Sequence, residues 1–442
     1  MKKYITAIII TLAFVSIFAQ RKYQYNVGEF YKPHPPKMTG QFGENYDPTK
    51  ADIYKKLDIL QLPDGAKIKT ARQWELLKRD VLKFVENDIF TPQIPRPKTL
   101  QFKLLERDEN ALESTAIRMQ YEIISGDNLG EHSFTLLIYT PKGKMGTPVF
   151  VNANFTGNHT VIDEPKVIMP KGFLLNNRKV KIKDGKAHDY QRGLAHSRHQ
   201  IREIINSGFA VATFCYHELY ADKYSTQESG EAESIYKIFD KQTHNAPRKA
   251  MAAWAYGKMR ALDCLETIPE IDASNAYAVG HSRLGKAALY AAVLDKRFAG
   301  VFSNSSCILG AKMIRRNFGV PLKKVVELTK HWYSPKLTEH ANDIEKMPFD
   351  QQHFLACMAP RPVYVASAAE DYWCDPIGEF LSLYEASKIY KLYGAKNLPN
   401  KSDMKVATPF HGDVGHHIRF GDHDITLYDR QQYIAFLKKR GL

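Results

Sequence analysis

The chain has 442 residues, 44% of them hydrophobic, and a formal net charge of +14 at pH 7. This is enough apolar content for one large domain or two small ones. The charge is dispersed, with no basic helix and no aromatic interleaving, which excludes a nucleic-acid partner in favour of a solvated surface; affinity for an acidic polysaccharide is the minor alternative. The densest basic set is Arg178, Lys179, Lys181, Lys183 and Lys186. The cysteines, Cys215, Cys264, Cys307, Cys357 and Cys374, are odd in number, scattered and without a CxxC pair. They read as core packing rather than a disulfide framework.

Lys2 and Lys3 precede an apolar run from Ile5 to Phe18, and Ala19 is small. Residues 1–19 therefore read as a cleaved signal peptide, too short for a membrane span, of a secreted or periplasmic protein with no membrane insertion after cleavage. Residues from Arg21 to about Lys50 suit an extended arm. Residues 71–88 place Trp74, Leu77, Val81, Phe84 and Val85 at helical spacing, and prolines 92, 95 and 97 end the pattern. Residues 20–100 thus form an N-terminal arm and helix packed on the core, with Trp74 a core residue.

From residue 101 onward strands alternate with helices. Strands are expected at 133–139, 148–153, 209–214, 276–279, 300–304, 363–367 and 406–409. Helices are expected at 196–206, 247–267, 376–393 and 427–439, with another after residue 282 and a helical and looped insertion after residue 304. Such alternation implies a mostly parallel sheet covered on both faces.

The stretch Ala276–Val279 is a short apolar strand, followed by Gly280-His281-Ser282-Arg283-Leu284-Gly285-Lys286 and an Ala/Leu-rich helix. Strand, sharp turn and helix with a serine at the apex is the layout of a nucleophile elbow, and the fold expected for residues 101–442 is an α/β-hydrolase fold with insertions. The N–H of Arg283 opens the helix and faces any oxyanion formed nearby. Gly280 is in place, but Leu284 stands where a second small residue is expected and Gly285 comes one later. The pattern alone leaves both a nucleophile and a plain Gly-containing turn open.

A serine hydroxyl needs a base, and the base an orienting carboxylate. In this fold the chain order is serine, acid, histidine. A base between the last strand and last helix leaves His411, His416, His417 and His423. Their spacing fits no standard metal-ligand pattern.

The string Gly280 to Lys286 resembles the Gly-x-Ser-Arg-x-Gly-Lys motif of the glucuronoyl esterases, the fifteenth carbohydrate-esterase family. Asn154-Phe155-Thr156-Gly157-Asn158-His159-Thr160, Ala359-Pro360-Arg361-Pro362 and Trp373-Cys374-Asp375-Pro376 also have counterparts there, in order, over about residues 50–440. The resemblance implies Ser282 as nucleophile, His423 as base and Arg283 as an oxyanion-stabilising arginine, whose bland reading is a surface cation at a helix start. His416 and His417 fall where the family has a structural Tyr-His pair. Lys286 matches a lysine that contacts sugar hydroxyls, against a plain surface lysine. Trp373 matches a substrate-facing tryptophan, with Trp332 a weaker candidate of that kind; buried core is the alternative for both. No metal or organic cofactor is implied. The implied ligand is a plant cell-wall polysaccharide ester, in which 4-O-methyl-glucuronate on xylan is linked to lignin alcohols.

Two family glutamates are missing. One belongs in a string that here reads Ser303-Asn304-Ser305-Ser306-Cys307, so Ser305 takes its place. The other belongs where Asn317-Phe318-Gly319-Val320 carries Val320. The expected substitute for the triad acid is Asp371, just beyond the 363–367 strand, with Asp375 and Glu370 as alternatives. The reading is a serine esterase of the glucuronoyl type. The rivals are the same machinery on another glycan ester, and a non-catalytic glycan-binding relative.

Overall fold

The computed structural model describes residues 43–52, 54–224, 230–242 and 244–442. The signal peptide expected over 1–19, and the arm expected from Arg21 as far as residue 42, lie outside the described residues. The strands are β1 (Thr99–Asn110), β2 (Ala116–Asp127), β3 (Gly130–Pro141), β4 (Thr147–Asn154), β5 (Ala210–Cys215), β6 (Ile271–His281), β7 (Gly300–Asn304), β8 (Val363–Ala368), β9 (Phe410–His411) and β10 (Gly415–Arg419). They form one sheet in the order β1-β2-β3-β5-β4-β6-β7-β8-β10-β9. Neighbours from β5 through β10 run parallel, while β1, β2, β3 and β9 pair antiparallel. The inner strands β5, β7, β8 and β10 are buried along their whole length, as strands covered on both faces must be.

Among the described residues five helices reach twelve residues: α1 (Ala71–Phe84), α2 (Ala250–Leu265), α3 (Arg283–Leu294), α4 (Pro376–Leu392) and α5 (Leu427–Lys439). A Thr70–Gln73 capping box starts α1, whose buried side is Trp74, Leu77, Val81 and Phe84. Those side chains join α2, α3 and α4 in one large apolar cluster on one face of the sheet. On the other face Tyr433, Ile434, Phe436 and Leu437 of α5 pack on Phe150, Phe302 and Tyr364. The α2 helix is buried along its entire length, Lys258 included. The Lys258 ammonium donates to the carbonyls of Val151, at 3.2 Å, and Val279, at 2.8 Å, and burial lowers its pKa to about 7.

Four expectations change. The strands β1 and β2 were not anticipated: β1 is largely exposed and charged, so it lacks an apolar alternation to read. The last parallel strand is β10, not 406–409. Ala407 has φ 56°, Pro409 lacks an N–H, and Val406 makes only a single bridge, to Ile418. The helix expected over 196–206 is broken at Gln200, whose φ is 52°. Finally, Cys307 and Cys374 are joined by a disulfide, while Cys215, Cys264 and Cys357 are free and buried. The bridged pair is 67 residues apart in sequence but stands on loops leaving the adjacent strands β7 and β8.

The two borders of the sheet differ. The β1 border carries Lys103, Glu106, Arg107, Asp108 and Glu109, and its register slips between Leu104 and Glu106. The β9 border is a strand of two residues.

Candidate active site

Ser282 joins β6 to α3 with φ 57° and ψ −129°, a region non-glycine residues rarely occupy and that costs about 1–3 kcal/mol. The glycines explain how so sharp a turn fits. A Cβ on Gly280 would collide with the Leu284 carbonyl, and one on Gly285 would come within 3.0 Å of both the Gly280 carbonyl oxygen and the Ser306 Cβ. The close packing is therefore made by Gly285, while Leu284 turns fully into the core. The Ser282 N–H donates to the Asn304 carbonyl at 2.9 Å and ties the apex to β7.

His423 stands in the loop between β10 and α5. Its Nε2 lies 3.0 Å from Ser282 Oγ, and its Nδ1 lies 2.6 Å from Asp371 Oδ2. A carboxylate can only accept from Nδ1–H, which leaves Nε2 to accept the serine proton. Asp371, 3% exposed, follows β8, and its other oxygen accepts from the Cys374 N–H at 3.3 Å. The alternative acids sit elsewhere. Asp375 is buried, ion-paired with Arg316, and caps α4 through the Gly378 N–H. The Glu370 side chain is exposed. Ser305 opens the loop that follows β7, at φ 39°, with a buried hydroxyl that has no hydrogen-bond partner among the described residues.

The Cys307–Cys374 bridge fastens the Ser305 loop to the Asp371 loop, and Cys374 Sγ lies 3.5 Å from His423 Nδ1. Cys307, Cys374 and His423 thus bring three donor atoms within 4.8 Å. With the sulfurs bonded to each other, neither is a thiolate, and one imidazole does not make a metal site.

Behind His423 lies a buried polar chain. The His281 ring is 4.5 Å from the His423 ring, and burial, with His423 beside it, holds its pKa well below the usual histidine range. His281 Nδ1 meets Asn304 Oδ1 at 2.7 Å, and Asn304 Nδ2 donates to Asp429 at 2.8 Å and to the Tyr433 hydroxyl at 2.9 Å. His417 Nε2 reaches the same Asp429 at 2.9 Å, and His416 Nε2 reaches the Asp403 carbonyl at 3.1 Å. Both histidines belong to β10 rather than to the loop expected to hold the base.

On the other side of Ser282, the Arg283 guanidinium is ion-paired with Asp222. It lies 4.8 Å from the Trp332 ring centroid, 5.4 Å from that of Tyr224 and 5.7 Å from that of Phe155. Asp222 is fully buried and also accepts from Tyr216 OH at 2.9 Å, and from Trp332 Nε1 and His331 Nε2 at 2.7 Å each. Burial pushes its pKa up, but Arg283 and His331 outweigh that and hold it below the usual carboxylate range. Phe155 is set by the Asn154–Thr160 turn, where Asn154 Nδ2 donates to Asn158 Oδ1 at 2.7 Å and Asn154 Oδ1 accepts from the Gly157 N–H at 2.8 Å. Asp222, His331, Tyr224 and Phe155 were not anticipated as site residues. The available signal was an acid shortly after a predicted buried strand, at the edge where such sheets gather their sites.

Lys286 is 4% exposed and its ammonium donates to the Ser306 carbonyl at 2.6 Å. Burial, with Arg283 nearby, lowers its pKa to about 7. Beneath it Glu379 is fully buried and accepts from the Cys307 N–H at 2.8 Å and from Ser367 Oγ. Burial pushes Glu379 up to about 8, Asp371 adding to it. Trp373 is half-buried, and its carbonyl accepts from the N–H of fully buried Val320 at 3.3 Å. Trp332, 6% exposed, contacts Arg283 and Asp222. The structure thus gathers Ser282, His423, Asp371 and Arg283 at one point, with Lys286 below it and Trp332 behind the arginine.

The arrangement has known counterparts. A family model described as glucuronyl esterase, fungi, matches residues 177–394. The carbohydrate esterase MZ0003 of an unknown prokaryotic organism is 33% identical over 411 residues, covering 92% of this chain and 94% of its own. A glucuronoyl esterase from Solibacter usitatus superposes with a TM-score of 0.80 at 32% identity, over 88% of this chain and 99% of that one. A promiscuous esterase of carbohydrate esterase family 15 from the marine bacterial metagenome does so with a TM-score of 0.80 at 32% identity, over 90% of this chain and 99% of its own. The mixed sheet, its parallel centre and the flanking helices are the α/β-hydrolase fold of these proteins.

Proposed function

We propose, from the premise that the chain belongs to the glucuronoyl esterase family of carbohydrate esterases, that it is a secreted serine esterase. Its substrates are esters of glucuronic acid, 4-O-methylated or not, in plant cell-wall glucuronoxylan. The family makes it a carboxylic ester hydrolase. The observation that carries the mechanism is the continuous contact from Ser282 Oγ through His423 to Asp371, at 3.0 and 2.6 Å.

Ser282 Oγ attacks the ester carbonyl as its proton passes to His423 Nε2. Asp371 stabilises the imidazolium through Nδ1–H and keeps Nε2 aimed at the serine. The negative charge on the tetrahedral oxygen develops beside the Arg283 guanidinium and N–H, fixed dipoles and charge that need no reorganisation. When the intermediate collapses, the carbon–oxygen bond to the alcohol breaks and His423 Nε2–H protonates the leaving oxygen. A water then attacks the acyl-enzyme, with His423 again the base, and frees the uronate and Ser282. Lys286 and Trp373 serve as sugar contacts, and Trp332 bears on the substrate through Arg283. Residues 1–19 act as the export signal, residues 20–100 as an arm and helix on the core, and residues 101–442 as the catalytic domain.

The test is hydrolysis of methyl or benzyl glucuronate by the wild type and by Ser282→Ala. Loss of turnover in a variant with unchanged melting temperature supports the reading. Activity within a few-fold of wild type overturns the serine mechanism. A second reading, the same machinery on another glycan ester, is favoured by Ser305 and Val320 at the positions of the family's glutamates. Faster turnover of acetylated sugars than of glucuronate esters selects it.

A further inference from the structure

A cavity of about 1020 Å³ opens beside the site, lined in part by Lys171, Phe173, Lys183, Lys186, Lys223 and Tyr224. The loop that carries most of these residues has a defined fold. Leu174 N–H bonds the Gly185 carbonyl at 2.8 Å, Asn177 and Ile182 pair with each other, and Leu174, Val180 and Ile182 pack on Ala195 and Cys215. The apolar residues face inward, which leaves the lysines outward and exposed.

The cavity and this loop both border the catalytic centre. Tyr224 lines the cavity and holds its ring 5.4 Å from the Arg283 guanidinium. At the tip of the loop, between Asn177 and Ile182, Lys179 reaches Asp424, the neighbour of His423, at 3.4 Å. Lys223 pairs with Glu233 at 3.9 Å and lies 5.6 Å from the Phe173 ring, and Asp184 pairs with His188 at 2.8 Å. Lys171, Lys183 and Lys186 have no ion-pair partner among the described residues. A concave groove with three such ammonium groups and two aromatic rings is matched to a sugar chain bearing anions, with rings for sugar faces and cations for carboxylates.

We propose that this groove binds the stretch of an acidic glycan flanking the esterified residue, its lysines pairing with free uronate carboxylates. The proposal rests on the esterase reading of the adjoining site and adds the substrate class: an ester set in a polyanionic chain, preferred over the same ester in a neutral chain. The field of the groove captures the chain, and the ester beside it is delivered to Ser282.

The experiment compares three substrates at low salt: an isolated methyl glucuronate, a neutral xylo-oligosaccharide with one esterified glucuronate, and an oligouronate of the same length with one methyl ester and its other carboxylates free. The expected kcat/KM for the oligouronate exceeds that for the neutral oligosaccharide about tenfold, and the preference fades in high salt. The combined Lys171→Glu, Lys183→Glu and Lys186→Glu variant raises KM for the oligouronate about tenfold, with kcat and small-ester turnover unchanged. Milder Gln substitutions at the same positions give a smaller change of the same sign. Equal rates on the two oligosaccharides, or equal effects of the charge swaps on large and small esters, overturn the groove. Calorimetric titration of the Ser282→Ala protein with unesterified oligouronate reads binding without turnover. Binding lost in the Glu variant supports the groove even where the small ester is not hydrolysed, and that missing hydrolysis counts against the esterase reading alone.

Discussion

Two buried aspartates flank Ser282 and do opposite things with their burial. Asp371, on the β8 side, meets the His423 imidazole at Nδ1, and in the proposed mechanism its charge matters once that ring takes the serine proton. Asp222, on the β5 side, holds a permanent cation and shares itself among four donors, those of Arg283, Tyr216, His331 and Trp332. The first is a switchable pair and the second a fixed one. The contrast teaches that the same residue type supports proton transfer where its partner titrates, and charge stabilisation where its partner does not.

The comparison breaks most visibly at Asp371. Asp371→Asn leaves the geometry but favours the wrong tautomer of His423, and the expected loss in kcat is about 10⁴-fold, as in a serine protease triad. Sequence neighbours give no rescue, since Asp375 is committed to Arg316 and the start of α4. Steady-state kinetics with Asp375→Asn as a control checks this: a severe effect on kcat in the control and a mild one in Asp371→Asn would reverse the assignment. Asp222→Asn weakens the hold on Arg283, and the expected loss is about 10²–10³-fold in kcat, the cost of a displaced oxyanion donor. Its pH–rate profile keeps the wild-type shape, whereas that of Asp371→Asn does not. If both profiles change alike, the two aspartates are not distinct in role.

A smaller effect tests whether one imidazole can be served from either of two adjacent strand ends. Ser305→Glu placed in the Asp371→Asn background is expected to recover activity about tenfold, because Ser305 and Asp371 sit on loops bridged by Cys307–Cys374. No recovery would show that the β7 loop no longer points a side chain at His423. The smallest effect concerns the third buried acid. Burial raises Glu379 from its ordinary 4.5 to about 8. Over that window the native state keeps a proton that the unfolded chain releases, so this group makes stability fall as pH rises, by at most about 1.4 kcal/mol per pH unit. Lys286, lowered to about 7, acts in the opposite sense above that pH. Denaturant melts of Glu379→Gln between pH 5 and 7 are expected to show a flatter dependence than wild type, and an unchanged slope would mean the carboxyl is ionised in the native state.

The elbow was legible because its physics is local: a strand, a crowded turn and a helix leave glycine only where side chains would collide. Even the displaced Gly285 is accounted for by its contact with Gly280 and Ser306. Asp371 was legible once Ser305 was seen to lack a charge. Asp222 was not, because its meaning lies in donors from Tyr216, Arg283, His331 and Trp332, on separate segments. The Cys307–Cys374 bridge and β10 were hidden for the same reason. Sequence distance conceals strand adjacency, and the Gly415–Arg419 segment, with its two histidines and an arginine, reads as polar although every residue of it is buried.

The borders of the sheet bear on how copies of this chain behave at high concentration. An open sheet border with free N–H and C=O groups is a template for another strand, and thus for stacking and fibrous aggregation. At β1 an arriving strand would meet Lys103, Glu106, Arg107, Asp108 and Glu109 and a register slip within the strand. At β9 it would find a ladder only two residues long. Charge and irregularity guard one border of the ten-stranded sheet and brevity the other, so each border offers an arriving strand a poor template.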